Sequence, residues 1–265
     1  MTAPTLNDYE YQFKDSGVLI NGDASTPFWD VTKISGLTDF PQLNSKILDR
    51  DGRHGSSVYI RYFTHRVVVI EGTLYASSAD FDTPIEAMRT SLLPDDVYYP
   101  FYYKHPNQSQ RYLNCKSSDF KFDVALGRRY GSSPFQIQLT AGDPRHYIDG
   151  STVNWTTAVN FNLHNTGNTP CAPTISITAS STTTADITVQ NVATGYAVQF
   201  TTAVTSGDEI VVDLDQYSIR VNGTYRPVPV TLTTNWPFSN AGVTEAWKVT
   251  SNVGNGTSTD RSAWL

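Results

Sequence analysis

The sequence predicts a mainly β protein with two domains. Runs in which apolar and polar residues alternate recur along the whole chain, which is typical of strands with one buried face. Only residues 82–93 have apolar residues at helical spacing. The composition also changes near residue 147: 12 of the 15 tyrosines lie in residues 1–147, whereas threonine rises from 10 residues in 1–147 to 23 in 148–265. We therefore expect domains at 1–147 and 148–265.

The length of 265 residues and the 39% hydrophobic content are enough for two cores. A net charge of −6 argues against a nucleic-acid-binding protein. Cys115 and Cys171 lie in different domains, which predicts two buried thiols and assembly in a reducing cytosol. The first residues have no signal-peptide pattern, and no apolar stretch approaches the ~18 residues of a membrane span, so we expect no membrane anchor.

The segment Phe135–Tyr147 is predicted to join the two domains. In its first half, apolar and polar residues alternate as in a strand with one buried face. The motif Ala-Gly-Asp-Pro then ends that strand. Gly142 can take a positive φ, and Pro144 fixes its own φ and favours an extended Asp143. We predict the last strand of the first domain here, followed by a hinge at Gly142, Asp143, Pro144 and Arg145. Asp143 and Arg145 are expected to fix the hinge and not to do chemistry.

In the first domain, we predict several strands and one helix. The predicted strands lie near 9–13, 18–21, 28–36, 58–63, 66–75, 98–103 and 113–124. Gly72 suggests a bulge or a bend in the most β-prone run. The predicted helix is Asp82–Leu93, with Asp82 or Thr83 as its cap and Pro94 as its end.

The second domain has the composition and turn spacing of a β-sandwich. The predicted strands lie near 151–163, 174–179, 186–190, 197–200, 209–213, 218–221, 228–233 and 245–250. Asn222-Gly223 is the strongest hairpin signal among the turns between them.

Motifs for catalysis are absent, and we predict no catalytic residue, no cofactor and no metal site. The five histidines are scattered, and Asp213 and Asp215 are predicted to be solvated carboxylates on the outer face of a strand. The aromatic run Tyr98–Tyr103 has two interpretations: core or subunit interface, which we prefer, and a stacking platform for sugars. Four tryptophans of the second domain are likewise predicted to be core or cover: Trp155, Trp236, Trp247 and Trp264.

Seven short stretches, taken in order, resemble the distal tail proteins of long-tailed, non-contractile bacteriophages. They are VTKISGL (31–37), DRDGRHG (49–55), VVVIEGTLY (67–75) with the helix after it, QIQLTAGDPRHY (136–147), NTGNTPCAPTI (165–175), GDEIVVDL (207–214) and DRSAWL (260–265). The resemblance covers nearly all of the chain, and it rests on the order and spacing of these stretches.

The resemblance implies a structural virion protein at the tail tip, assembled in the host cytoplasm. The first domain would be barrel-like and form a hexameric ring that continues the lumen of the tail tube, through which DNA passes without specific binding. The second domain would be a galectin-like β-sandwich. The implied partners are further copies of the chain, the tail tube protein, the tail hub or tail-associated protein, and receptor-binding proteins.

A ring protein needs strand edges that its neighbours complete, and the run 66–75 is a candidate for such an edge. We predict a ring or docking interface at Asp49, Arg50, Asp51, Arg53, Arg66, Val67, Val68, Val69, Ile70 and Glu71. The alternative function is a carbohydrate-binding protein that reads cell-surface glycans through the sandwich. A six-fold ring without a glycan response favours the first function, and a monomer whose tryptophan fluorescence changes with sugar favours the second.

Overall fold

A computed structural model describes residues 3–15, 17–22, 27–41, 43–49, 54, 56–77, 79–94, 96–123, 125, 129–233 and 235–265. For 46–49 and 56–62 it describes the backbone alone. The chain divides into two compact units, Met1–His146 with Leu265 (unit 1) and Tyr147–Trp264 (unit 2). Strands make up most of the regular structure, so the prediction of a mainly β fold is confirmed.

Unit 1 is built from antiparallel strands and one helix. They are β1 (Tyr11–Phe13), β2 (Leu19–Ile20), β3 (Phe28–Ser35), β4 (Leu43–Asp49), β5 (Ser56–Phe63), β6 (Arg66–Tyr75), α1 (Asp82–Ser91), β7 (Tyr99–Tyr103), β8 (Arg111–Phe122) and β9 (Ser132–Ala141). The strands β2, β1, β7 and β8 are neighbours in that order. Strand β8 also pairs with β9, β9 pairs with β6, and β6 pairs with β3. Strands β4 and β5 form a separate two-stranded sheet.

The core of unit 1 lies between these strands and α1. Ile70, Phe101, Leu113 and Ile85 are each no more than 1% exposed and belong to one cluster. The alternating burial of β6 and β9 is the pattern that the sequence predicts for half-buried strands. The description of unit 1 as barrel-like, which the sequence resemblance implies, stays a prediction.

The helix forms where its spacing predicts, but its start differs. The N-cap residue is Phe81, which makes no side-chain capping bond, so the prediction of Asp82 or Thr83 as the cap is wrong. The Thr83 hydroxyl donates to the Asp80 carboxylate instead. Burial of Phe81 in the core anchors the first turn, and such packing outweighs a cap of about 1 kcal/mol.

The irregularity expected near Gly72 lies in the strand opposite. The register between β3 and β6 shifts between Val31 and Lys33, which face Gly72 and Glu71. A Cβ on Gly72 would lie 2.0 Å from the Asp30 carbonyl oxygen, so the glycine lets the two backbones approach at the bulge.

Unit 2 is a sandwich of two antiparallel sheets. Its strands are β10 (His146–Trp155), β11 (Asn160–Asn165), β12 (Thr174–Thr178), β13 (Thr183–Asn191), β14 (Ala197–Val204), β15 (Glu209–Asp213), β16 (Ser218–Val221), β17 (Thr224–Tyr225), β18 (Val230–Leu232), β19 (Val243–Ser251) and β20 (Gly256–Trp264). One sheet has the order β17-β16-β15-β12-β20-β10 and the other β11-β19-β13-β14-β18. Apolar residues of both sheets share one core, which includes Ile177, Val212, Val189 and Trp247. Whether this sandwich is galectin-like stays a prediction.

Two features of unit 2 differ from the sequence prediction, and one agrees with it. The expected strand 151–163 is two strands, because the chain turns at Ala158 with a φ of 62°. Strand β20 was missed because its Thr, Ser and Asp residues carry no alternating apolar pattern. The Asn222-Gly223 hairpin is confirmed: both residues have positive φ, as a two-residue hairpin turn with a type I′ backbone requires.

Candidate docking site

The predicted edge strand, β6, lies inside its sheet. It pairs with β3 along one side and with β9 along the other, so the prediction of an edge at 66–75 is wrong. The β-prone sequence marks a strand in either case, and its position in the sheet is set by partners distant in sequence.

The predicted interface residues on β6 divide between two faces of the sheet. Arg66, Val68 and Ile70 are buried at 3%, 0% and 0% exposure. Val67, Val69 and Glu71 lie on the opposite, half-exposed face. Glu71 accepts a hydrogen bond from Gln136 Nε2 at 3.0 Å, and its carboxylate lies 3.8 Å from Lys33 Nζ. A docking role for this run stays a prediction, and only its half-exposed face can reach a neighbour through side chains.

The predicted charged loop connects the two strands of the separate sheet, which we call the ribbon (β4 and β5). Its pairing runs from Leu43 opposite Phe63 to Asp49 opposite Ser56. Arg50, Asp51 and Arg53 lie outside the described residues, and for Asp49 only the backbone is described. The docking role of these four residues therefore stays a prediction.

The ribbon has no third strand among the residues that the structure describes. Both of its outer edges therefore carry backbone groups that no described strand pairs with, and such edges are sites for β-pairing with another chain. Exposed apolar residues accompany it at its root: Phe40 is 79% exposed, Leu43 47% and Phe63 37%. Sequence reasoning missed β4 because LNSKILD lacks a clear period of two.

Arg66 is the most elaborately bonded side chain of unit 1. Its Nη1 lies within hydrogen-bond distance of three carbonyl oxygens, those of Gly36 (2.9 Å), Leu37 (3.0 Å) and Asp39 (2.6 Å). Its Nε donates to the Pro144 carbonyl oxygen at 2.9 Å. A buried guanidinium is thus held by neutral acceptors, which we call the carbonyl cage. Burial lowers the pKa of Arg66, and its charge is retained because ordinary arginine titrates far above neutral pH.

A hydrogen-bonded chain of side chains adjoins this cage. The Tyr103 hydroxyl lies 2.7 Å from His146 Nδ1, and the His146 ring also bonds to the Leu37 carbonyl oxygen. Since a carbonyl oxygen can only accept, Nε2 carries the proton and Tyr103 donates to Nδ1. Burial, together with the nearby charges of Arg66 and Arg111, lowers the pKa of His146 to about 3. Burial likewise raises the pKa of Tyr103 to about 12.

The predicted hinge residues make local contacts at the end of unit 1. Gly142 does not use a positive φ, so that expectation is wrong; a Cβ there would lie 2.6 Å from the Tyr98 hydroxyl oxygen. Asp143 accepts from the backbone N–H of Arg145 at 3.0 Å and forms an ion pair with its guanidinium at 2.5 Å. The carbonyl of Pro144 belongs to the cage. These contacts give the segment a defined conformation, and its role as a hinge stays a prediction.

The aromatic run after the helix is largely core. Phe101, Tyr102 and Tyr103 are 0%, 8% and 3% exposed, so for them the preferred interpretation is confirmed and a sugar platform is not available. Trp155 and Trp247 are also buried, at 3% and 0%. The two cysteines are buried, and burial raises the pKa of Cys115, as expected for inert thiols.

Asp213 and Asp215 are engaged in unit 2 and not solvated, which corrects the sequence-based expectation. The Asp213 side chain is 17% exposed, and its Oδ1 lies 3.6 Å from Arg261 Nη1. Asp215 Oδ2 accepts a hydrogen bond from the Tyr147 hydroxyl at 2.7 Å. The expectation failed because Arg261 lies on β20, the strand that the sequence pattern did not reveal.

The described residues contain no group of three His, Cys, Asp or Glu side chains arranged to hold a metal ion. No helix in the described part of the chain is long and apolar enough to cross a membrane. What the geometry offers is a two-stranded ribbon whose edges no described strand pairs with, and open strand edges of this kind are used by proteins that bind partners through β-pairing.

The family comparison agrees with that class. Residues 166–255 match the model of the siphovirus-type tail component, C-terminal domain. The matched segment covers most of unit 2. No curated protein sequence matches the chain.

Solved structures match over nearly the whole chain. The Dit protein (gp 19.1) of phage SPP1, described as a paradigm of the hub adsorption apparatus in phages infecting Gram-positive hosts, has a TM-score of 0.59 and 14% identity, covering 96% of this chain and 99% of its own. A chain of the phage P2 baseplate in its activated conformation with Ca has a TM-score of 0.62 and 8% identity, covering 95% and 97%. A chain of the phage p2 baseplate in its activated conformation with Sr has a TM-score of 0.63 and 9% identity, covering 96% of this chain and 98% of its own. The resemblance to distal tail proteins found in the sequence is confirmed.

Proposed function

We propose that this chain is a distal tail protein that forms a hexameric ring and joins the tail tube to the hub and host-recognition proteins of the tail tip. Residues 1–147 would form the ring and residues 148–265 a peripheral sandwich. The ring would be a passage for DNA, and the modest net charge of −6 for the whole chain suits a passage that does not retain phosphates.

The single observation that carries the proposal is the ribbon. A two-stranded sheet is marginally stable by itself, and its unpaired backbone groups gain stability when a neighbour supplies further strands. A closed ring lets every copy both offer a ribbon and receive one, which leaves no unsatisfied end. The tail-component match of unit 2 and the fold shared with baseplate chains support the same function.

The experiment has two parts. Native mass spectrometry of the purified protein over a wide concentration range should detect a species of six times the chain mass of 29.3 kDa. Electron microscopy of particles labelled with antibody against the chain should place the label at the tail tip.

A protein that stays monomeric at every concentration, together with label away from the tail tip, would contradict the proposal. A monomer whose tryptophan fluorescence responds to host-surface glycans would instead support the carbohydrate-binding alternative. Within the aromatic run that suggested a sugar platform, Phe101, Tyr102 and Tyr103 are buried, whereas Tyr98 is 48% exposed.

A further inference from the structure

Two short segments, which we call legs, connect the ribbon to the rest of unit 1. The first leg runs from the end of β3 at Ser35 to Leu43, and the second from Phe63 to Arg66. Leu43 and Phe63 are partners in the ribbon, so the two legs leave unit 1 side by side. Because a two-stranded ribbon is marginally stable, its direction depends on how these legs are held.

Arg66 holds both legs at once. Its backbone ends the second leg and begins β6, while its guanidinium contacts the carbonyl oxygens of Gly36, Leu37 and Asp39 on the first leg. The side chain is 3% exposed. One buried arginine therefore ties the two legs together at the root of the ribbon.

Two independent contacts fix the first leg in the same place. Gly36 has a φ of +77°, and a Cβ on it would lie 2.0 Å from the Val67 carbonyl oxygen, so the leg passes directly over the start of β6. The His146 ring bonds to the Leu37 backbone as well. Arg66, Gly36 and His146 together form what we call the root clamp.

We infer that Arg66 is a positioning residue for the ribbon: it sets the direction in which the ribbon meets a neighbouring copy, and it is not itself a docking contact. The inference rests on the proposed function, since it gives the ribbon its role in ring assembly. It also explains how a fully buried residue can matter for docking. Hydrogen bonds to backbone carbonyl oxygens hold the guanidinium in the cage, and the nearby Asp39 carboxylate adds a Coulombic attraction.

The test is Arg66→Lys, which keeps the charge and loses the planar set of donors that reaches several carbonyls at once. We expect the protein concentration at which half of the chains assemble to rise about tenfold or more. Hydrogen exchange followed by mass spectrometry should become faster in residues 37–45 and in the ribbon, with β9 unchanged. A purely structural role would instead speed exchange across unit 1, including β9.

Arg89→Lys is the matched control, because it makes the same substitution in an arginine on the exposed surface of α1, where it pairs with Glu86. It should leave ribbon exchange and assembly as in the wild type. Arg66→Ala provides a rescue experiment: millimolar methylguanidinium should slow exchange at residues 37–45 again and restore assembly.

The inference is overturned if hydrogen exchange in the ribbon is as slow in Arg66→Lys as in the wild type. It is also overturned if hydrogen exchange becomes faster by the same factor in β9 and in the ribbon. Failure of the proposed function is a different result, in which the wild-type chain neither assembles nor labels the tail tip. Hydrogen exchange on the monomer tests the root clamp even in that case.

Discussion

Two arginines, one in each unit, hold distant segments together by different chemistry. Arg66 in unit 1 is 3% exposed and contacts four backbone carbonyl oxygens at 2.6–3.0 Å. Its partners are neutral and cannot titrate. Its contribution is thus tied to the placement of the backbone, and the nearby Asp39 charge adds to it.

Arg261 in unit 2 relies on side chains. Its Nε lies 3.5 Å from Asp149 Oδ1, its Nη1 3.6 Å from Asp213 Oδ1, and its Nη2 3.3 Å from Thr174 Oγ1. The side chain is 14% exposed and Asp149 is 55% exposed, so water screens part of this network. The comparison predicts that the cage concentrates its stabilisation in one residue, whereas the longer and more solvated network spreads it over several.

The largest expected difference comes from removing each arginine. Arg66→Ala leaves four carbonyl oxygens without their donor, one in a buried and three in part-buried hydrogen bonds, and should cost unit 1 about 3–5 kcal/mol of unfolding free energy. Arg261→Ala should cost unit 2 only about 1–2 kcal/mol, because Asp149 can be solvated. Urea unfolding with pulsed thiol labelling measures the units separately, since Cys115 and Cys171 are buried one in each unit.

Arg89→Ala removes an arginine from the exposed surface of α1 and is the control for the loss of an arginine as such. It should change the unfolding free energy of neither unit by more than about 0.5 kcal/mol. Equal losses for Arg66→Ala and Arg261→Ala would show that the cage and the network are energetically equivalent.

Two glycines, one in each unit, allow the same comparison to be made for the backbone. Gly36 in unit 1 and Gly223 in unit 2 have nearly the same φ, +77° and +76°, but a Cβ would meet the Val67 carbonyl at 2.0 Å in the first and nothing within 4 Å in the second. Gly223→Ala should therefore cost only the left-handed strain, about 1 kcal/mol, whereas Gly36→Ala should cost about 3 kcal/mol. The same thiol-labelling measurement checks both, and equal costs would mean that the clash at the ribbon root relaxes freely.

The pH dependence of unit 1 should come mainly from His146, beside the cage, with a contribution of the same sign from His105, whose pKa burial also lowers. In the unfolded chain the His146 imidazole takes a proton near pH 6.5, but in the folded protein only near pH 3. The unfolded state then binds more protons between these values, so stability is present above pH 6.5 and falls as the pH falls. From pH 7 to pH 5 unit 1 should lose about 2 kcal/mol, measured by urea unfolding with labelling of Cys115 after a brief jump to alkaline pH.

His146→Gln removes the titrating group and keeps an amide that can donate to Leu37. Its stability should be nearly flat across the same range relative to the wild type. A wild-type protein as stable at pH 5 as at pH 7 would refute the assignment of a neutral, buried His146.

Sequence reasoning located the candidate docking region without locating its parts. The Gly-rich charged loop was recognised, but the ribbon strand before it was not, because LNSKILD has too few apolar residues for a period of two to show. Arg66 was placed in the interface from its position at the start of a β-prone run. Its actual partners, Gly36 to Asp39 and Pro144, are backbone groups about 30 and 78 residues away, and carbonyl groups leave no signature in a sequence.

What the sequence by itself determined is local: the alternation of β6 and β9, the helix over most of 82–93, the Asn222-Gly223 hairpin, and the ordered stretches that resemble distal tail proteins. These follow from side-chain periodicity and from backbone preferences that act within a few residues. Only the tertiary structure decided that β6 is an inner strand, that Asp213 meets an arginine, and that the ribbon stands apart with Arg66 at its root. Each of these depends on which distant strands pair, and pairing is chosen by burial of the whole core, which no short stretch encodes.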